Sequence, residues 1–218
     1  LPQPVRFQWQ TTVQPLQAQA GAGWQLHSPE HGPEAQRYQA VLLAVPAPQA
    51  APLLEAVAPK AATLARSAPM RACWSVMVRC PQPVPLPVDG CFIEHSPLRW
   101  IARDSSKPGR SGPETWLLHA SHAWSEAHVH DEAAAVTAAL LQAFAQLGGP
   151  DPASVQATAH RWLYADTAPP LNVDGWWQPE TGLGLCGDWL HNGTVEGAWL
   201  SGRHLAQRVH TTLATRTA

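Results

Sequence analysis

The densest chemistry in the sequence lies near its C-terminal end, in Gly184-Leu-Cys-Gly-Asp188-Trp-Leu-His-Asn-Gly-Thr194-Val-Glu-Gly-Ala-Trp-Leu-Ser-Gly-Arg203. It reads as a short strand, a tight loop and a helix. An aspartate directly after a buried strand has its carboxylate at the strand's C-terminal end, where open α/β sheets bind ligands. There Asp188 can accept hydrogen bonds from sugar or polyol hydroxyls. A helix start presents unpaired N–H groups and a partial positive charge, so Thr194 to Gly197 suit a phosphate or an electron-rich ring. In that helix Val195, Ala198, Gly202, Leu205 and Val209 share one face, and Gly197 and Gly202 remove side chains where another group must approach. The same strand, Gly-Asp, loop and helix also occur as plain packing in many α/β proteins.

Other groups add weaker signals. Arg103, Lys107 and Arg110 surround Ser105-Ser106 and Pro108-Gly109, a cationic loop able to hold a phosphate or carboxylate, or else a salt-bridged surface turn. Trp74, Trp100, Trp162, Tyr164 and Trp189 can wall a pocket or fill a core. His119, His122, His128 and His130 crowd together. Their spacing matches neither H-E-x-x-H nor a zinc finger, so no metal site is expected, and the imidazoles of the short helix His122 to His128 are expected to face out. No G-x-S-x-G elbow supports hydrolysis.

The elements that must position these residues follow from periodicity. Val5 to Val13 and Gly23 to His27 alternate apolar and polar residues around Gly21-Ala-Gly23 and read as a hairpin. Tyr38 to Val45 is a continuous apolar run closed by Pro46 and Pro48, which predicts a strand buried on both faces. Residues 49–67 are rich in Ala and Leu, and Pro59 splits them into two helices. Strands are expected at Ala72 to Arg79, Gly90 to His95, Leu98 to Arg103, Thr115 to Ala120 and Ser154 to Ala165. A helix from Glu132 to Leu147, capped by Asp131, packs on the resulting antiparallel sheet. The domain reading is 1–48 and 180–218 in one part and 49–179 in the other.

The chain has 218 residues, enough for one ordinary domain or two small ones with a core of their own. Only 14% are charged, the formal net charge is −2, and no Lys/Arg cluster appears, so neither nucleic acid nor an anionic membrane is an expected partner. The longest apolar run, Ala40 to Ala47, falls short of the roughly 18 residues a membrane span needs. Cys73, Cys80, Cys91 and Cys186 lack any C-x-x-C spacing, which favours a reduced cytoplasmic setting.

The segment Gly184 to Arg203 resembles the C-terminal flavin motif of FAD-dependent oxidoreductases of the amine-oxidase and renalase type. Trp100-Ile-Ala-Arg-Asp-Ser-Ser-Lys-Pro-Gly-Arg110 and His160-Arg-Trp-Leu-Tyr-Ala165 resemble segments of the bacterial renalase-like branch, and Leu43-Ala-Val-Pro-Ala-Pro48 resembles that family's second FAD-domain fingerprint. The resemblance covers essentially the whole chain. It implies a mixed α/β fold, α+β in this segment, with part of an FAD-binding domain and an antiparallel-sheet substrate domain. The family's opening βαβ unit with G-x-G-x-x-G is absent from these residues. With Leu1 in place of Met, this reads as the C-terminal portion of a longer flavoenzyme.

The resemblance further implies FAD as cofactor. Asp188, flanked by Gly187 and Trp189, would bind the ribityl or pyrophosphate region. Thr194 to Ala198, through the N–H groups of Val195, Glu196 and Gly197, would meet the flavin O2/N1 edge. Val13 would contact adenine, and Ala44 to Pro46 would pass near the dinucleotide. On the substrate side it implies Arg103 and Lys107 gripping phosphates, with Trp74, Trp162 and Tyr164 as walls. The implied reaction is hydride transfer from a small dihydronicotinamide-type dinucleotide to flavin, with O2 as final acceptor. A flavin amine oxidase, or a catalytically incomplete binding module, is the alternative.

Overall fold

The computed structural model describes residues 5–17 and 23–216, so Gly21 and Ala22 of the expected hairpin turn lie outside the described residues. Along the chain the elements are β1 Trp24–Ser28, β2 Gly32–Tyr38, β3 Val41–Leu43, α1 Ala47–Leu54, α2 Pro59–Arg66, β4 Met70–Arg79, β5 Gly90–Phe92, β6 Leu98–Arg103, β7 Thr115–Ala120, α3 His122–Ala127, α4 Ala133–Gln146, β8 Gln156–Thr167, β9 Trp176–Gln178, β10 Leu183–Leu185 and α5 Val195–Arg216. The fold is mixed α/β, as expected. Two compact units form, one from Leu1–Met70 with Thr167–Ala218 and one from Arg71–Asp166.

In the first unit, β3 and β10 run parallel and β9 pairs antiparallel with β10, giving the order β3-β10-β9. The central strand β10 is buried throughout, and Gly184 within it is wedged between Leu42 and Leu205, where an added Cβ would lie 2.9 Å from each. The edge strand β3 is buried on one face only: Leu42 is 42% exposed, against the two-sided burial read from the apolar run. Helices α1 and α2 bury an alanine stripe, Ala47, Ala50, Ala51, Ala61, Ala62 and Ala65, in one core with Val41, Leu43, Leu183 and Leu185. Pro59 opens α2, where its fixed φ suits a first turn and its missing N–H costs nothing. That shared core draws residues 49–70 into this unit, so the expected boundary after residue 48 lies instead after Met70, and the chain returns at Thr167.

The expected first hairpin also differs. β1 pairs with β2 across a tight turn, not with Val5 to Val13, which form no strand. A three-residue connection closes at little entropic cost. Val5, Phe7 and Trp9 are each more than 70% exposed, so their alternation finds no sheet to bury against.

The second unit is a five-stranded sheet in the order β5-β6-β7-β4-β8, with β5, β6, β7 and β4 antiparallel in sequence. Trp74, Val76, Val78, Leu98, Ile101, Trp116 and Leu118 form one face and pack with Val136, Leu140, Leu141 and Phe144 of α4. Gly148-Gly149 stop α4: Gly148, at φ +95°, turns the chain out of the helix, and the Gly149 N–H is donated to the Phe144 carbonyl at 3.0 Å. Asp131 does not cap α4, because its carboxylate takes the His128 Nδ1 at 2.7 Å and Glu132 occupies the cap position. Ser121 caps α3, accepting the Trp124 N–H at 3.2 Å. His122 turns inward, not out, with Nδ1 3.1 Å from the Ala72 carbonyl and Nε2 3.1 Å from Asp166.

Candidate functional site

In the first unit the C-terminal ends of β3 and β10 lie side by side, joined beyond the ladder by the Cys186 N–H donated to the Leu43 carbonyl at 3.1 Å. Ala44-Val45-Pro46 and Cys186-Gly187-Asp188 therefore leave the sheet together, at the end where parallel strands present their ligand sites. The Gly187 N–H donates to the hydroxyl of Ser201, which is fully buried on α5, at 3.1 Å. A Cβ at Gly187 would lie 2.8 Å from the indole nitrogen of Trp189, so only glycine admits that ring. Trp189 is 1% exposed and donates its indole N–H to the Val45 carbonyl at 3.1 Å, which makes it the clamp between the two strand exits and not a ligand wall. The half-buried Asp188 uses its carbonyl to accept the N–H groups of His191 and Gly193 at 3.0 and 2.9 Å. Its carboxylate has no partner among the described residues.

Thr194 caps α5: its hydroxyl accepts the Gly197 N–H at 2.9 Å and donates to the Asn192 side-chain oxygen at 2.6 Å. That oxygen also accepts the Thr194 N–H at 3.2 Å and occupies the space where a Cβ at position 197 would stand. The Ala198 N–H closes the first helical bond, to the Thr194 carbonyl at 2.9 Å. Among the described residues the N–H groups of Val195 and Glu196 find no hydrogen-bond partner at the head of a 22-residue helix. Open donors, the helix dipole and a free carboxylate are what a group with one anionic edge and several hydroxyls requires, so the residues fit a flavin dinucleotide.

Other placements differ from expectation. The buried face of α5 is Gly197, Ser201 and Leu205, while Val195 is 92% exposed, and Gly202 has open space around it and no close neighbour. Val13 runs beside β1, where the Gln14 N–H meets the His27 carbonyl at 2.9 Å, and no described hydrogen bond links it to the strand ends. Asn192 and Ser201 were not anticipated. An Asn two residues before a Thr cap, and a Ser one turn after a tight helical Gly, were the signals available.

In the second unit the cationic loop is neutralised from within. Arg103 pairs with Glu114 at 3.0 Å and with Asp89 at 3.3 Å and lies over Trp116, and Lys107 and Arg110 both pair with Asp104. Trp74 is 4% exposed on the α4 face and donates its indole N–H to the His128 carbonyl at 2.9 Å, so it belongs to the core. Trp162 and Tyr164 are 54% and 38% exposed. Strand alternation puts them with His160 opposite Ala157 and Ala159, which pack toward α4. On the sheet face away from α4 the register aligns the buried Ser75 and the half-buried Trp100 with His119, and Met77 with Leu117.

His119 titrates below the ordinary imidazole range, first because burial penalises its charged form and then because Arg99 and His122 repel it. A folded-state pKa lowered in this way favours the neutral ring. The stability it contributes is complete above the unfolded pKa of about 6.5 and is lost as pH falls from there toward the lowered value. His119→Asn is expected to flatten the fall in urea midpoint between pH 7 and 5, and an unchanged slope would contradict the assignment.

Among the described residues no helix is long and apolar enough to cross a membrane. The fold resembles that of cyclohexylamine oxidase from Brevibacterium oxydans IH-35A, with 15% identity, a TM-score of 0.70, and 93% of this chain covering 48% of that one. A candidate protoporphyrinogen oxidase from Exiguobacterium sp. 255-15 matches at 16% identity and TM-score 0.69, over 92% of this chain and 47% of that one. Wild-type putrescine oxidase bound to putrescine matches at 14% identity and TM-score 0.62, over 92% and 48%. The chain thus spans about half the length of these structures. Residues 4–210 match the family model for flavin containing amine oxidoreductases, and the chain belongs to that FAD-dependent enzyme family.

Proposed function

We propose that this chain supplies the flavin-holding strand ends and helix, together with the substrate-side sheet, of an FAD-dependent oxidoreductase whose hydride donor is a dihydronicotinamide-type dinucleotide and whose final acceptor is O2. The observation that carries the flavin part is the start of α5, where Thr194 and Asn192 satisfy the cap and leave the Val195 and Glu196 N–H groups open. Those donors hold the edge of the ring on which negative charge gathers, and Asp188 accepts from the ribityl hydroxyls. Bound FAD supplies the hydride acceptor. The chain's own residues bind, orient and exclude water, since a hydride donor needs no strong base.

The dinucleotide reading is supported by the likeness of 100–110 and 160–165 to the renalase-like branch. With Arg103, Lys107 and Arg110 paired internally, recognition falls to the exposed Trp162 and Tyr164 of β8, on which a nicotinamide ring can stack. That internal pairing also favours a second reading, a flavin amine oxidase, whose substrate needs an apolar aromatic slot and no phosphate grip.

The test is FAD titration of the purified chain followed in the visible flavin bands, then anaerobic mixing with dihydronicotinamide isomers and, separately, with amines. Flavin binding lost in Asp188→Ala, and bleaching by the isomers alone, are expected. Bleaching by amines would select the second reading. A folded chain that shifts no flavin band, and still shifts none when the family's G-x-G-x-x-G unit is supplied, would overturn the cradle assignment.

A further inference from the structure

We propose that Asp174, His191 and His204, in the first unit, form a binding site for a divalent transition-metal ion of the zinc class. One ligand atom from each lies within 4.8 Å of the other two. The residues come from three segments that the fold brings together independently of any ion. Asp174 sits at φ +59° in the loop before β9, beside the Val173 N–H that donates to the Leu190 carbonyl at 2.7 Å. His191 ends the turn that starts at Asp188, and His204 lies on α5 with its ring centroid 6.2 Å from that of His191.

The spacing suits a shared ion. Zinc bound at about 2.0–2.1 Å by imidazole and carboxylate holds its donors roughly 3.3 Å apart in a tetrahedron. His191 Nε2 and Asp174 Oδ1 are 3.2 Å apart. The other ring nitrogen of His191, Nδ1, is buried with no hydrogen-bond partner among the described residues, so Nε2, beside Asp174, is the nitrogen that faces the ion. Two imidazoles and one carboxylate form a borderline donor set that selects zinc-class ions over calcium or magnesium. Asp174 is 64% exposed on its side chain, which leaves a fourth position open to water. No sequence motif marks the set, because the spacings of 17 and 13 residues follow only from the tertiary fold. An ion here would pin the segment between Asp188 and Thr194 to α5.

The experiment is calorimetric titration of the full chain with Zn2+, repeated with Co2+ to read the visible band of a tetrahedral site. One equivalent is expected to bind, with affinity falling roughly tenfold or more in Asp174→Asn and in His204→Asn. His210→Asn, on the exposed side of the same helix, is expected to leave it unchanged. Asp174 is exposed enough for its variant to fold. Absence of saturable binding, or binding indifferent to both Asp174→Asn and His204→Asn, would overturn the proposal.

Discussion

Gly197→Ala is expected to lower FAD affinity by about tenfold or more while leaving the thermal midpoint near that of the parent chain. The added methyl falls where the Asn192 side-chain oxygen lies, so Asn192 must leave. With it go the bonds from the Thr194 hydroxyl and the Thr194 N–H, at 2.6 and 3.2 Å, and the cap loosens. Losing a cap costs about 1 kcal/mol, and exchanging Gly for Ala inside a helix returns roughly the same amount, so global stability is nearly balanced. Binding is not balanced. The open N–H groups of Val195 and Glu196 work only if the first turn is held in place, and one displaced hydrogen bond to a charged edge is worth about 1.5–3 kcal/mol. Flavin titration beside a thermal melt separates the two effects, and a variant with parental affinity would remove Asn192 and Thr194 from the cradle.

Much of this site was legible in the sequence because it is local. Strand, Gly-Asp, helix start and helical glycine lie within 21 residues, from Leu183 to Arg203. The sheet strands Leu98–Arg103 and Thr115–Ala120 were legible for the same reason: alternation and flanking turn residues fix their ends. What escaped depends on a distant partner. Arg103 reads as a free cation until Glu114 is folded against it, and His122 reads as a surface residue until Asp166, 44 positions away, reaches it. Val5 to Val13 alternates as a strand should, yet no sheet edge accepts it. Periodicity reports which residues a strand could bury and is silent on whether a surface exists to bury them.

Glu114 illustrates that non-local dependence with an expected loss of about 3–5 kcal/mol on replacement by alanine. The segment Pro81-Gln-Pro-Val-Pro-Leu-Pro-Val88 has proline at every second position, so half its residues lack an N–H and no ladder can hold it. Side chains hold it instead. Glu114 accepts the Val84 N–H at 3.1 Å, the Trp116 indole N–H at 2.7 Å and Arg103 at 3.0 Å. Arg103 in turn donates to the Leu86 carbonyl at 2.6 Å. Alanine leaves the largely buried guanidinium facing the segment without its main carboxylate, because the remaining partner, Asp89, is 73% exposed and screened by solvent. Glu114→Gln keeps the shape and an acceptor and is expected to cost about 1–2 kcal/mol, mostly the charge on the Arg103 bond. Chemical denaturation of the two variants measures the difference. Equal large losses would mean that the charge alone, and not the shape and acceptor that glutamine keeps, fastens the proline segment to the sheet, and small losses in both would remove Glu114 from that role.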